Sequence, residues 1–306
     1  MSYQLGYNER VQESIRRIGR EQIDKAIGEI DNPDLDRHEA IHQVRKRCKR
    51  LRALVRLVRP ALGRSYQREN GCFRGIARDL SGIRDEQSMV EALERLLESL
   101  KDAERHPFDP ALSELRARRD AAAASAGQDP EALLAEARKS LKKARNRVGK
   151  WQLNAGGFGA VDGGFNKTYK RGHKAIKRAY KTDKTQDFHE WRKRVKYHVH
   201  HLDLLRPLWP RVTKAWRKEA KVLADILGDD HDLAILDELL ESEGERLAES
   251  PTRRQLQQII RKKQQRLRRE ALEISHRLYA EKPGALRKRW KSYWRTWQAF
   301  GNLSET

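Results

Sequence analysis

Two cysteines in 306 residues, Cys48 and Cys72, are too few for a disulfide framework, and neither sits in a C-x-x-C pair or Cys/His cluster that would hold a structural metal. A reducing compartment is expected. Apolar residues are scarce at 38%, and no stretch approaches the ~18 consecutive apolar residues of a membrane span. Met1 to Glu29 mixes charges throughout and lacks the apolar core of a secretion signal, so a cytoplasmic location is expected. Acid is in short supply as well. Forty-four Asp and Glu face 66 Lys and Arg, a formal charge of +22. Self-repulsion of that size is tolerated when a strongly acidic partner offsets it.

Period-two alternation is also missing, which excludes an extensive sheet. Instead, apolar residues recur at helical spacing along most of the chain, and the expected fold class is all-α. Breakers are expected at Asn32-Pro33, Pro60 to Gly63, Gly82, His106-Pro107 with Pro110, Gly127 to Pro130, Gly156 to Gly164, Pro207 to Pro210, Gly228 and Pro251. The stretch Asn154-Ala155-Gly156-Gly157-Phe158-Gly159 lacks the Gly-Lys-Ser/Thr ending of a phosphate loop and follows no strand, so it reads as a connector.

An internal repeat organises the chain. His42-Gln-Val-Arg-Lys-Arg-Cys-Lys overlies His189-Glu-Trp-Arg-Lys-Arg-Val-Lys at an offset of 189 − 42 = 147. The same offset puts Arg59-Pro60 on Arg206-Pro207, Arg64 on Arg211, Arg74 on Lys221, Leu80 on Leu227 and Asp85 on Asp232. Two related helical halves are expected, 8–105 and 164–306, separated by a helical linker and Gly-rich connector over 106–163 and packed about a pseudo-twofold axis.

In the first copy Ile41, Val44, Cys48, Leu51, Val55 and Val58 form a stripe to be buried, and His42, Arg45, Lys46 and Lys49 lie on an adjacent face. In the second, Phe188, Trp191, Val195, Leu202 and Leu205 repeat the stripe, and His189, Arg192, Lys193 and Lys196 repeat the cationic face. Like charges at this spacing destabilise an isolated helix, so a cluster built twice points to an anion that neutralises it. A solvated basic face is the plain alternative. A further basic helix, Phe165 to Arg178, adds Tyr169, Lys170, Arg171 and Lys174: planar forks, mobile point charges and a hydroxyl suited to phosphate oxygens.

Other patterns are weaker. His38-Glu39-Ala40-Ile41-His42 matches the zinc-protease pattern H-E-x-x-H, but the second copy has Thr185 and Gln186 in place of His38 and Glu39, and Arg45 and Lys46 would oppose a dication. His198, His200 and His201 have apolar first-copy counterparts and read as packing or surface residues, whereas His42 and His189 head the cationic rows. Either could bond a phosphate oxygen and gain charge beside it, or be a core or capping histidine. Asp79, Asp85, Asp225 and Asp232 read as helix caps or as acids that position the basic side chains. Trp191 falls on the apolar stripe and Trp290, Trp294 and Trp297 read as a docking face, which leaves no platform for stacking bases.

Together, His42-x-x-Arg45-Lys46-x-x-Lys49, Leu80-Ser81-Gly82-Ile83-Arg84-Asp85, Phe165-x-x-x-Tyr169-Lys170-Arg171-Gly172, His189-x-x-Arg192-Lys193-x-x-Lys196 and Leu227-Gly228-x-x-His231-Asp232 resemble the CHAD family, the conserved histidine α-helical domain. The resemblance implies two helical bundles around a basic groove or pore, binding of inorganic polyphosphate, and association with polyphosphate granules and the enzymes that metabolise the polymer. Implied contacts are His42, Arg45, Lys46, Lys49, His189, Arg192, Lys193 and Lys196; Arg74, its counterpart Lys221, and the residues from Tyr169 to Lys174 named above complete the expected site. The acidic triphosphate tunnel fused to some relatives is not expected, so neither is catalysis. No cofactor or metal is expected. A nucleic-acid-binding protein is the main rival and a metal-dependent phosphohydrolase a weaker one.

Overall fold

The computed structural model of the protein describes residues 3–125, 129–247 and 249–301. In chain order the helices are α1 (Val11–Asp31), α2 (Arg37–Leu57), the short α3 (Arg59–Leu62), α4 (Ser65–Asp79), α5 (Gly82–Glu98), the short α6 (Asp102–Arg105), α7 (Asp109–Ser125), α8 (Pro130–Val148), α9 (Gly157–Thr182), α10 (Thr185–Leu204), α11 (Pro210–Leu247), α12 (Ser250–Leu278) and α13 (Pro283–Phe300). Among the described residues there is no strand, so the all-α expectation holds.

Local chemistry explains many ends. The Asp36 carboxylate caps α2 by accepting from the amides of His38 and Glu39. Pro130 stands at the first helical position of α8, behind Asp129, whose carboxylate accepts from Glu131 N–H. Pro60 and Pro207 stop α2 and α10 and start short turns. Gly63 follows α3 with φ +55°, a backbone conformation that favours glycine. The expected break at Gly127 lies outside the described residues.

In two of the expected breaks glycines continue a helix. Gly163 and Gly164 lie inside α9, and Gly228 inside α11. A single glycine costs a helix only ~1 kcal/mol, and at Gly164 the missing side chain allows close packing. A Cβ there would stand 1.9 Å from the carbonyl oxygen of Leu57 and 2.3 Å from that of Arg56. At Gly228 a Cβ would meet the Arg192 guanidinium at 3.6 Å.

The stripe of α2 is buried as expected: Val44, Cys48, Leu51, Val55 and Val58 are 0% exposed and Ile41 1%. Each such side chain contributes ~1.5–3 kcal/mol. Phe188, Trp191, Val195 and Leu202 of α10, and Leu205 at its end, are likewise buried. α2 packs on α1 and α4, and α10 on α9 and α11; α2 also crosses α10, and α3 rests on α9. α8, expected as a linker, is a wall of the N-terminal bundle. Leu134, Leu141, Ala144 and Val148 are buried, and Arg138, Arg145 and Arg147 reach Asp31, Asp24 and the fully buried Glu69. Periodicity alone does not show that its narrow apolar face has a partner. The tryptophans of α13 are core, Trp290 lying against Phe165 (ring centroids 4.7 Å) and Trp294 against Phe158 (5.9 Å). Among the described residues no helix is long and apolar enough to cross a membrane.

Candidate anion-binding surface

Arg45, Lys49, Arg52 and Arg56 follow one another along α2 at steps of four, three and four, which aligns them over about 16 Å of one helix face. Arg59, at the start of α3, continues the row. Lys46 is exposed beside it, and Arg45 Nη1 donates to the carbonyl of Ala77 at the end of α4 (2.7 Å). The row crosses α10, where the His201 ring lies 3.1 Å from the carbonyl of Ala53 and Tyr197 lies under Arg56, 4.3 Å from cation to ring centre.

At one end of the crossing stand Lys49, Lys196, Arg192, His189 and His231. Burial, then Arg192 and Lys49, bring the Lys196 ammonium down to about 7. His189 Nδ1 faces His231 Nδ1 at 3.1 Å, and the ring centroids are 3.9 Å apart. Burial, reinforced by Lys193 and Arg192, lowers His189 to about 4; burial and His189 lower His231 to about 3. Both rings are therefore neutral near pH 7, one donating to the other. Acids stand behind: Asp225, Asp229 and Asp232 of α11 favour the charged form of Arg192. Arg95 of α5 lies 3.4 Å from Asp232 and 3.7 Å from Asp229. The second row is partly neutralised from within: Lys193 pairs with Glu190 (2.6 Å), and Lys221 pairs with Asp225, as an acid positioning a base would. Asp79 pairs with Arg78 (3.1 Å), while the side chain of Asp85 lies outside the described residues.

At the other end Arg52, Arg56 and Arg59 meet Lys167 and Arg171 of α9 and Arg194 of α10. Arg59 lies over Tyr66 at 4.6 Å. Burial, then Arg194, Arg59 and Arg56, lowers Arg171; Arg59, then burial and Arg171, lowers Lys167. Exposed Arg74 of α4 is close enough to Arg52 to lower it. Among the described residues, Arg52, Arg56, Arg59, Arg74, Lys167 and Arg171 make no ion pair. Arg194 alone is matched, by Glu190 (2.7 Å).

Lys170 and Lys174 are exposed on the side of α9 that carries Lys167 and Arg171. Tyr169 is not there. Its side chain is 0% exposed, stacks on Tyr279 (5.0 Å), and donates its hydroxyl to the carbonyl of Glu281 (2.9 Å). The expected hydroxyl contact to phosphate is corrected: this tyrosine ties α9 to the loop before α13, and burial pushes it up to about 12. His198 and His201 are buried packing residues, beside Phe165. His38 and Glu39 are exposed in the first turn of α2, and among the described residues no group of three His, Cys, Asp or Glu is placed to hold a metal ion.

The CHAD domain model matches residues 17–241, nearly three quarters of the chain. The chain belongs to the CHAD family. Its two basic rows, the histidine pair and the arginine cluster all lie within the matched span of this CHAD domain, which ends inside α11. The family is one associated with polyphosphate binding. Among curated proteins, none matches the chain.

Sequence reasoning missed His231, Arg52, Arg56, Arg59, Lys167 and Arg194 as site residues. The α2 row was legible by extending Arg45 and Lys49 at helical steps. It was passed over because the repeat replaces Arg52 and Arg56 with Val199 and Asp203.

Proposed function

We propose that this CHAD domain binds inorganic polyphosphate without transforming it, in a groove lined by the α2 row, the α10 row and the basic side of α9. The observation that carries the reading is the set of six crowded cations that no carboxylate of the described residues neutralises, continuous with Arg45 and Lys49. Crowding like charges is unfavourable, and a polyanion that enters relieves it while releasing its own counterions. A polymer with charge on every unit and no bulky groups suits a stripe one helix wide. Tyr197 is covered by Arg56, so it offers no free face for a base, and nucleic acid should bind more weakly. The reading places the protein in the cytoplasm at polyphosphate granules, beside the enzymes that make or degrade the polymer.

The test is competition between labelled long-chain polyphosphate and single-stranded or duplex DNA near physiological salt. The comparison is the chain with Arg45, Lys46, Arg192 and Lys193 changed to Glu. Polyphosphate should resist DNA, and the variant should bind at least about 100-fold more weakly. Equal competition by DNA, or an unchanged variant, overturns the reading, and phosphate release from the polymer overturns the non-catalytic part.

A further inference from the structure

The arginine end differs in shape from the rest of the surface. Along α2 the charges are spaced in a line, but where α9 meets the end of α2 they converge. Gly164 makes this possible, because only a residue without Cβ lets α9 touch the carbonyls of Arg56 and Leu57. The result is a small recess lined by Arg56, Arg59, Lys167, Arg171, Arg194 and Tyr197. Its free space is about 10 Å³, roughly room for one water-sized group. A base, a sugar or a lipid headgroup does not fit; an oxygen of a phosphoryl group at the mouth does.

The donors are held ready. Arg56 lies over Tyr197 at 4.3 Å, with Arg52 at 5.9 Å from the same ring, and Arg59 lies over Tyr66 at 4.6 Å. A cation held over a ring face is restrained in position while its N–H groups remain able to donate to oxygen. The Nε atoms of Arg52 and Arg56 are buried without a hydrogen-bond partner among the described residues, so protein groups do not use up these forks. Internal units of a polyphosphate carry one charge and two free oxygens. A terminal unit carries up to two charges and three free oxygens, since its second proton leaves near pH 6. A linear row matches the repeating interior of such a chain, and a point where five cations converge matches its end.

We propose that this recess takes the terminal phosphoryl group of a polyphosphate chain, so that the chain is anchored by its end and runs from there along α2 toward Lys49 and Lys196. The proposal rests on the polyphosphate reading and adds a polarity and an end preference to it. Free orthophosphate or pyrophosphate presents the same chemistry, and the experiment separates the sources.

Polyphosphate of one defined length is prepared with free ends and with both ends blocked as neutral-capped phosphoramidates. Its binding to the full chain is measured beside that of pyrophosphate. The wild type should prefer free ends by about tenfold, and pyrophosphate should bind far more weakly than the free-ended chain. Arg56→Gln with Arg171→Gln should weaken both chains, the free-ended one by about tenfold more, so that the preference for free ends is lost. Lys167→Gln, at an exposed side chain, should reduce it in smaller measure. Equal wild-type affinity for free and blocked chains overturns the anchor and leaves the polyphosphate reading standing. Pyrophosphate binding as tightly as the free-ended chain overturns it too, by assigning the recess to small phosphates. Wild type that binds neither chain sinks the polyphosphate reading itself.

Discussion

Toward its C-terminal end, α2 carries Arg52 and Arg56, and α3 adds Arg59, permanent charges laid against Tyr197 and Tyr66 and unmatched by acid among the described residues. Toward its N-terminal end the same face meets Lys196, His189 and His231, groups that can shed their protons, backed by Asp225, Asp229 and Asp232. Both regions crowd cations, and they relieve the crowding differently. The arginine end keeps its charge and waits for an anion; the histidine end discharges itself and leans on carboxylates. The first gives affinity that does not depend on pH, and the second makes part of the binding respond to it.

The harshest way to break the comparison is to remove the floor of the arginine end. Gly164→Leu drives a side chain into the Leu57 carbonyl, and should cost about 3 kcal/mol or more in denaturant unfolding. A variant as stable as the parent contradicts the close contact of α9 with α2. Gly71→Ala, where a Cβ meets nothing, is the control.

Acid should weaken the fold itself. His198 and His201 are buried and lowered to about 4 and about 3, chiefly by burial. A histidine whose folded pKa is depressed leaves the unfolded chain binding more protons, so stability is present above pH ~6.5 and is lost as pH falls toward the folded value. Each buried histidine then costs on the order of 2 kcal/mol by pH 5. Unfolding free energies that do not fall between pH 7 and 5 contradict this account.

Binding should respond to pH in the opposite sense. Burial and, after it, the neighbouring cations hold His189 and His231 neutral; an anion near Arg192, Lys193 and Lys196 offsets the second of these, raises Lys196 and both rings, and favours proton uptake at this end. Affinity for long-chain polyphosphate should therefore rise about 3- to 10-fold from pH 7.5 to 5.5. His189→Gln should reduce that slope, Lys196 supplying the remainder, and Arg56→Gln should leave it. An unchanged slope in His189→Gln puts the titrating group elsewhere.

The smallest effect separates matched from unmatched cations. Lys221 is engaged by Asp225, so Lys221→Gln should change polyphosphate affinity less than about 2-fold. Arg74→Gln, at the repeat-related position near Arg52, should change it more. Equal effects at the two positions remove the distinction on which the comparison rests.

Much of the fold could be read from periodicity, because a narrow apolar stripe such as Ile41 to Val58 has one stable fate, and proline marks helix ends by chemistry that acts within a few residues. Glycine could not be read so simply. Gly82 begins a helix, but Gly164 and Gly228 sit inside helices, and at Gly164 the glycine admits a neighbour that only the packed structure reveals. The basic face of α2 was half legible. Repetition drew attention to Arg45 and Lys49 and away from Arg52 and Arg56, which belong to one copy alone. His231 stood in a recognisable motif, yet its pairing with His189 depends on how α11 lies against α10. Tyr169 was misread because its neighbours Lys170 and Arg171 face solvent while a helix turns its own side chain inward.

The most direct test is a crystal structure of the protein with a bound polyphosphate chain. The account expects phosphates along the α2 face between Arg59 and Arg45, in contact with Arg171, Lys196 and Arg192, and a change in the His189–His231 contact. A chain lying on another surface, with the α2 row still bare, would contradict it.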